Sequence, residues 1–164
     1  MTDMNWLVVA PEMLLLGMAC LVALVDLFVT CPRRLPTYLL TMASLAAVAG
    51  LHLGALDSSV SAYAMQRMVV TDPMGHLLAL CATLAVMASL VYAQSYAASR
   101  DLLKGELFSL AMLSLLGISI MIIGNNFLTI YLGLELMSLS LYALVALRRD
   151  NIQATEAAMK YFVL

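Results

Sequence analysis

The sequence has little charge, and this excludes most classes of water-soluble protein. Charged residues make up only 11% of its 164 residues, against about 25% in a typical soluble domain. Apolar residues make up 64%, so too little polar material is present to cover the surface of a soluble body of this size. The formal net charge of −2 also argues against a nucleic-acid partner, because nucleic-acid binding requires a basic surface. The composition predicts an integral membrane protein.

Cysteine and histidine are also scarce, and they are too widely spaced to predict a metal or redox centre. The three cysteines include no C-x-x-C pair, and only two histidines accompany them (Cys20, Cys31, Cys81, His52 and His76). The sequence contains no glycine-rich phosphate-binding loop and no G-x-S-x-G nucleophile motif. We therefore expect this chain to bind no flavin, iron–sulfur cluster, nicotinamide nucleotide or metal.

What the sequence does have is five long apolar runs. Each is close to the ~20 helical residues that cross ~30 Å of hydrocarbon. The runs are continuous and do not alternate, which favours helices over the strands of a membrane barrel. The expected fold class is an all-α polytopic membrane protein, with residues 1–164 in a single membrane domain and no soluble domain. The runs are about Leu7–Val29, Thr37–Leu56, Pro73–Tyr96, Leu107–Ile123 and Phe127–Leu147.

A sixth apolar run begins near Asn151 and stops at Leu164. As a helix it would rise only about 21 Å, which is short of the ~30 Å needed to cross a bilayer. We therefore interpret the chain as the amino-terminal part, or a truncated product, of a longer protein. It would supply five transmembrane helices and the start of a sixth.

The basic residues predict the orientation in the membrane. Six of the seven loop cations follow the first, third or fifth run, and only Arg67 lies on the other side. The positive-inside rule assigns those three loops to the cytoplasm, so the amino terminus is expected outside. The six cations are Arg33, Arg34, Arg100, Lys104, Arg148 and Arg149.

Glu135 is the first candidate functional residue. It follows Asn126 by nine residues, or about 14 Å of helix, which places it near the middle of the bilayer. A central acidic residue costs about 2.5–3.5 kcal/mol, so it needs a partner, a water-filled cavity or a proton. This position predicts a proton-transfer group. The alternative is a permanently neutral carboxyl that serves only packing.

Lys160 is the second candidate, since it also lies about 14 Å from the start of its run. Counted from opposite faces, the two depths place Glu135 and Lys160 at similar height. A buried carboxyl can take up and release a proton as a lysine approaches and withdraws. The alternative for Lys160 is a pair with Glu156, four residues earlier. The possible supporting residues are Glu156, Ser138 and Ser140; the two serines could donate hydrogen bonds or hold water.

The segment around Glu135 resembles a known family. Residues 126–145, NFLTIYLGLELMSLSLYALV, resemble the fifth helix of subunit N of bacterial NADH:quinone oxidoreductase, respiratory complex I. Residues 156–164, EAAMKYFVL, resemble the beginning of that subunit's sixth helix. The amino-terminal Ala10-Pro11-Glu12 and the Val70-Thr71-Asp72-Pro73 segment agree with it.

This resemblance implies the amino-terminal part of a fourteen-helix antiporter-like fold in the bacterial cytoplasmic (inner) membrane. The residue matching Glu135 is then the principal protonatable group of helix five, and Lys160 is a candidate member of a buried polar chain. The family's main lysine partner lies on a broken seventh helix, beyond Leu164. Flavin, iron–sulfur clusters, NADH and quinone belong to other subunits. The expected partners are protons, lipid and the other membrane subunits of complex I.

The implied function is proton translocation within a proton-pumping NADH:quinone oxidoreductase, by a chain without its own redox site. Two alternatives stay open from the sequence. The chain could belong to a multi-subunit cation/proton antiporter. It could also be a structural membrane scaffold, in which Glu135 and Lys160 only fix the helix register.

Overall fold

The computed structural model describes residues 6–29, 34–56, 61–100, 102–148 and 151–163. Arg33, Arg149 and Cys31, which figure in the sequence analysis, lie outside these ranges. The described chain forms a 3₁₀ turn, six α-helices and a two-stranded hairpin. In chain order these are the turn Trp6–Val9, α1 Ala10–Phe28, α2 Leu35–Ala55, β1 Ala62–Ala64, β2 Val69–Thr71, α3 Pro73–Ser99, α4 Gly105–Ile123, α5 Phe127–Val145 and α6 Ile152–Val163.

Helices α1 to α5 are long and apolar enough to cross a membrane, and α6 is shorter. This confirms the predicted fold class of a helical polytopic membrane protein. The first helix begins at Ala10, later than its apolar run, because the preceding four residues form the 3₁₀ turn. The third continues to Ser99, three residues past the predicted end, since the alanines and serines that follow Tyr96 are still compatible with a helix.

Side-chain caps fix where two of the helices begin. The carboxylate of Asp72 accepts a hydrogen bond from the Gly75 amide at 2.7 Å, and Pro73 occupies the first helical position of α3. Proline suits that position because its missing N–H would have no partner there. The side chain of Asn126 caps α5 in the same way, by accepting a hydrogen bond from the Leu128 amide at 3.2 Å.

The hairpin was not predicted from the sequence. Strands β1 and β2 pair antiparallel, with Tyr63 opposite Val70. Three consecutive residues of the connecting turn, Met65, Gln66 and Arg67, have positive φ angles of 51°, 55° and 64°. These are non-glycine residues in the left-handed region, so the turn carries none of the glycine signals that identify hairpins in a sequence.

The hairpin covers one end of the helix bundle, which we call the hairpin end. Val69 forms a β-bridge with Gly124, just after α4, and packs with Val9 and Ile123. The start of α1, the end of α2, the start of α3, the end of α4 and the start of α5 therefore share this end. The other end of the bundle is called the opposite end.

Helix α4 lies at the centre of the bundle. Its side chains Phe108, Met112 and Leu115 are at most 1% exposed. They pack in one apolar cluster with residues of α1 and α2 such as Leu15 and Leu45. In lipid, apolar burial by itself gives little net driving force, so these side chains stabilise the bundle mainly through close van der Waals packing.

Helices α4 and α5 approach each other closely at Gly117 and Gly133. A Cβ atom on Gly117 would lie 2.7 Å from the Gly133 carbonyl oxygen and 2.6 Å from the Met137 amide nitrogen. A Cβ atom on Gly133 would lie 2.8 Å from the Gly117 carbonyl oxygen. No side chain fits at either position, so the two backbones pack directly against each other. We call this contact the glycine seam.

Candidate functional site

Glu135 lies at the middle of α5 and is half-buried. It follows the first residue of the helix by eight positions, or about 12 Å. The hydroxyl of Tyr131, one turn earlier, is close enough to interact electrostatically with the Glu135 carboxylate. The carboxylate therefore has one polar neighbour within its own helix.

A polar stripe runs along the face of α5 that carries Glu135. Tyr131, Glu135, Ser138 and Tyr142 follow one another at intervals of three or four residues, which places their side chains on one side of a helix. Ser138 and Tyr142 are half-buried. Gly133 of the glycine seam is about 200° away around the helix. The polar stripe therefore lies on the side of α5 away from α4.

Ser140 does not belong to the polar stripe. It is one of the few buried residues of α5, and its hydroxyl donates to the Leu136 carbonyl at 2.7 Å. Its hydrogen-bonding capacity is thus used within its own helix, on the side facing the bundle. Of the two serines predicted to support Glu135, the structure places only Ser138 on the same face.

Lys160 and Glu156 form an ion pair on α6, with Nζ and Oε1 2.7 Å apart. Their side chains are 70% and 61% exposed in the described chain. This is the intrahelical pair that the spacing predicted as the alternative for Lys160. Within the described residues, Lys160 and Glu135 are not brought into contact.

The position of α6 explains why those two residues stay apart. Tyr161 and Phe162 pack edge-on against Tyr142, with ring centroids 5.0 and 5.4 Å apart. Tyr142 follows Glu135 by seven residues, or about 10 Å along α5. The end of α6 therefore lies nearer to the opposite end of the bundle than Glu135 does. Equal depth of Glu135 and Lys160 was predicted. It nevertheless packs on the face that carries the polar stripe.

Two buried polar features were not recognised from the sequence. Glu12 is only 6% exposed, and its Oε2 atom has no hydrogen-bond partner among the described residues. The Nδ1 atoms of His52 and His76 lie 3.2 Å apart between α2 and α3. The available signal was their similar distance from the ends of two adjacent antiparallel helices.

A polar cluster and a cavity lie at the opposite end. Asp26 forms an ion pair with Arg34, and its carboxylate occupies the space where a side chain on Gly105 would begin. Beside it is a cavity of about 600 Å³, whose lining includes Glu106 and Ser109. Glu135 does not line this cavity. Within the part of the chain that the structure describes, no three histidine, cysteine or acidic side chains are grouped to hold a metal ion.

Comparison with known proteins bears directly on α5 and α6. Residues 124–164 match a family model described as "NADH:quinone oxidoreductase/Mrp antiporter, TM". Over 98% of its length, the chain is 54% identical to NADH-quinone oxidoreductase subunit N of Polaromonas naphthalenivorans. It is 46% identical to that of Herminiimonas arsenicoxydans over its whole length, and 48% identical to that of Methylovorus glucosotrophus over 94%. The chain belongs to the subunit N family of NADH-quinone oxidoreductases.

This membership confirms the resemblance seen in the sequence. The matched segments cover 32%, 34% and 32% of these three relatives, so the chain spans about a third of the length of the curated relatives it matches. Both candidate residues, Glu135 and Lys160, lie within the segment that matches the family model.

Proposed function

We propose that this chain is the amino-terminal part of a proton-translocating membrane subunit of a bacterial NADH:quinone oxidoreductase. In this proposal Glu135 takes up and releases the proton. The observation that carries it is a half-buried glutamate at the middle of a membrane-length helix, inside the segment that matches the family model. An ionisable side chain at that depth is a functional candidate because its desolvation is unfavourable.

The energetic requirement for transport is modest. Moving one proton against 100 mV requires about 2.3 kcal/mol. A tenfold change in proton affinity corresponds to about 1.4 kcal/mol, so a swing of about two orders of magnitude at Glu135 is sufficient. Such a swing follows when a positive charge or a hydrogen-bond donor moves toward or away from the carboxyl group. The Tyr131 hydroxyl, which interacts electrostatically with Glu135, is a candidate for such a donor.

We propose Lys160 as a second group on the same proton path, with Glu156 as its resting partner. The ion pair holds the Lys160 side chain on α6, which packs against the polar stripe. Ser138 supports Glu135 from the same face of α5. Ser140 has a packing role in this scheme, because its hydroxyl is satisfied by the helix backbone.

The remaining chemistry is proposed to lie in other subunits. The redox groups, namely flavin, iron–sulfur clusters, NADH and quinone, would be bound elsewhere in the complex, and this chain would contact the other membrane subunits and lipid. We place it in the bacterial inner membrane as a multi-pass chain with its amino terminus outside. The support for this orientation is the distribution of loop cations.

The test is Glu135→Gln in the complete complex. We expect normal assembly, and a lower ratio of protons pumped to NADH oxidised, measured in sealed vesicles. Glu106→Gln is the matched control, since Glu106 is an exposed glutamate in the first turn of α4. If both variants pump as the unmodified complex does, Glu135 has only the structural role of the scaffold alternative.

A cation/proton antiporter is the second candidate function, because the matched family description also includes Mrp antiporters. The two functions differ in the ions and substrates that they require. An antiporter would exchange protons for sodium without NADH, whereas the proposed subunit needs electron transfer to quinone. Sodium-driven proton movement by the full-length protein would favour the antiporter.

A further inference from the structure

His52 and His76 face each other between α2 and α3, one turn inside the hairpin end. His52 lies three residues before the end of α2, and His76 lies three residues after the start of α3. Their Nδ1 atoms are 3.2 Å apart. The His52 side chain is 1% exposed, and His76 is half-buried.

The geometry of the two rings is that of one shared hydrogen. The ring centroids are 5.5 Å apart, which exceeds the Nδ1–Nδ1 distance by about 2.3 Å. This excess is close to the width of an imidazole ring, so the two nitrogens lie nearly on the line between the rings. Histidines that bind one metal ion would instead converge on it at an angle. One Nδ1 therefore carries a hydrogen, and the other accepts it.

We propose that His52 and His76 form a proton-responsive contact between α2 and α3. The contact persists while the pair is neutral or holds one extra proton, because one Nδ1 can still accept. When both imidazoles are protonated, two N–H donors and two positive charges face each other at 3.2 Å without an acceptor. The hairpin ends of α2 and α3 then separate.

The surroundings offer little to compensate a second positive charge. Asp72 acts electrostatically on His76, but its Oδ1 atom already caps α3. The other ionisable side chains of the described chain at this end are Glu12 on α1, Tyr131 in the second turn of α5, and Arg67 and Tyr63 in the hairpin, where Arg67 lies over the Tyr63 ring. The last two turns of α4 contain no ionisable residue. The ionisable groups Asp26 on α1 and Glu106 on α4 lie at the opposite end.

The contact would give the proposed proton-translocating subunit a sensor of the compartment that receives protons. This role rests on the orientation proposed above, which places the hairpin end outside. Strong acidification of that compartment would loosen α2 from α3, while the glycine seam between α4 and α5 would stay intact.

The test measures opening directly, without turnover. Ala79→Cys introduces a thiol at a position that is 1% exposed, three residues after His76 on a neighbouring part of the same helix face. The complete complex in lipid nanodiscs is labelled with a maleimide at about pH 8 and about pH 4, and labelling is read site by site by mass spectrometry. Leu77→Cys, at a position 45% exposed, corrects for the pH dependence of the thiol reaction itself.

We expect the corrected labelling of the thiol at position 79 to rise at least about tenfold at the lower pH. The repulsion between the two charged imidazoles should outweigh the single hydrogen bond between them and expose this position. Adding His76→Asn should abolish the rise, because the amide still hydrogen-bonds near the place of Nδ1 but cannot become charged. A rise that persists with His76→Asn, or no rise with both histidines present, overturns the proposal. His52→Asn is the equivalent variant should His76→Asn prevent assembly.

The outcome is separable from that of the Glu135 experiment. Glu135→Gln should leave the pH-dependent labelling unchanged, because the described part of α5 packs mainly on α4 and α6, whereas the histidines join α2 to α3. Loss of pumping and loss of the labelling response therefore report on different parts of the molecule.

Discussion

Replacing Gly117 with alanine should destabilise the protein, although the same replacement stabilises most exposed helical positions. Alanine is favoured over glycine in a helix by about 0.8–1 kcal/mol. At Gly117, however, the new methyl group would lie 2.6 Å from the Met137 nitrogen and 2.7 Å from the Gly133 oxygen. Both are backbone atoms, so the clash can be relieved only by moving α5 away from α4.

The size of the effect follows from these opposing terms. Forcing an extra carbon into a closely packed contact typically costs about 1–3 kcal/mol. A contact between two backbones is at the upper part of that range, because no flexible side chain can rotate aside. After the helix-propensity gain is subtracted, we expect Gly117→Ala to lower the free energy of unfolding by about 1–2 kcal/mol.

The assay is unfolding of the full-length subunit in mixed detergent micelles, followed by circular dichroism across a titration with a denaturing detergent. Gly50→Ala is the matched control. Gly50 also lies inside a membrane-length helix, but a Cβ atom there would have no heavy atom within 4 Å in the described chain. It should be neutral or stabilising by up to about 1 kcal/mol.

The double variant Gly117→Ala/Gly133→Ala sharpens the test. Both changes disturb one contact, so the second should add less than its separate effect. The explanation by backbone contact would be refuted if Gly117→Ala were as stable as Gly50→Ala. Full additivity of the two seam variants would also contradict it.

Two further predictions concern the core and the ion pair on α6. Phe108→Ala should cost about 3–5 kcal/mol in the same assay, because Phe108 is 1% exposed at the centre of the bundle; Phe127→Ala, at a position 82% exposed, should change the stability little. Lys160→Met should lower proton pumping more than Glu156→Gln does, if Lys160 is on the proton path. Equal effects of these two changes would indicate that the ion pair only stabilises the helix, by about 0.3–0.5 kcal/mol.

The sequence predicted the membrane helices because length and hydropathy determine them directly. A run of about 20 apolar residues has few structural alternatives in lipid, where backbone groups must be satisfied internally. Local chemistry also predicted the start of α3, since Asp72 and Pro73 form a cap without help from other elements. The position of Glu135 midway along α5 followed from the same counting of residues.

Features that depend on how helices are rotated against one another were not predictable in this way. His52 and His76 come together only because α2 and α3 present those faces to each other. Burial of Glu12 depends equally on what packs around the start of α1. The hairpin was not predicted for another reason. Its strands have only three residues each and its turn has no glycine, so the sequence carries no hairpin signal.

The arrangement around α5 would hold the proposed proton-transfer group, Glu135, on a fixed backbone and still leave one side of it accessible. The glycine seam fixes one side of α5 against α4 without any intervening side chain, so the backbone that carries Glu135 has little freedom to shift. The polar stripe lies on the other side, where α6 is the described helix that packs on it, through Tyr142. Movement near Glu135 is therefore confined to groups that approach that face. Under the proposed function, a group that alters the proton affinity of Glu135 would therefore approach this face and not come through α4.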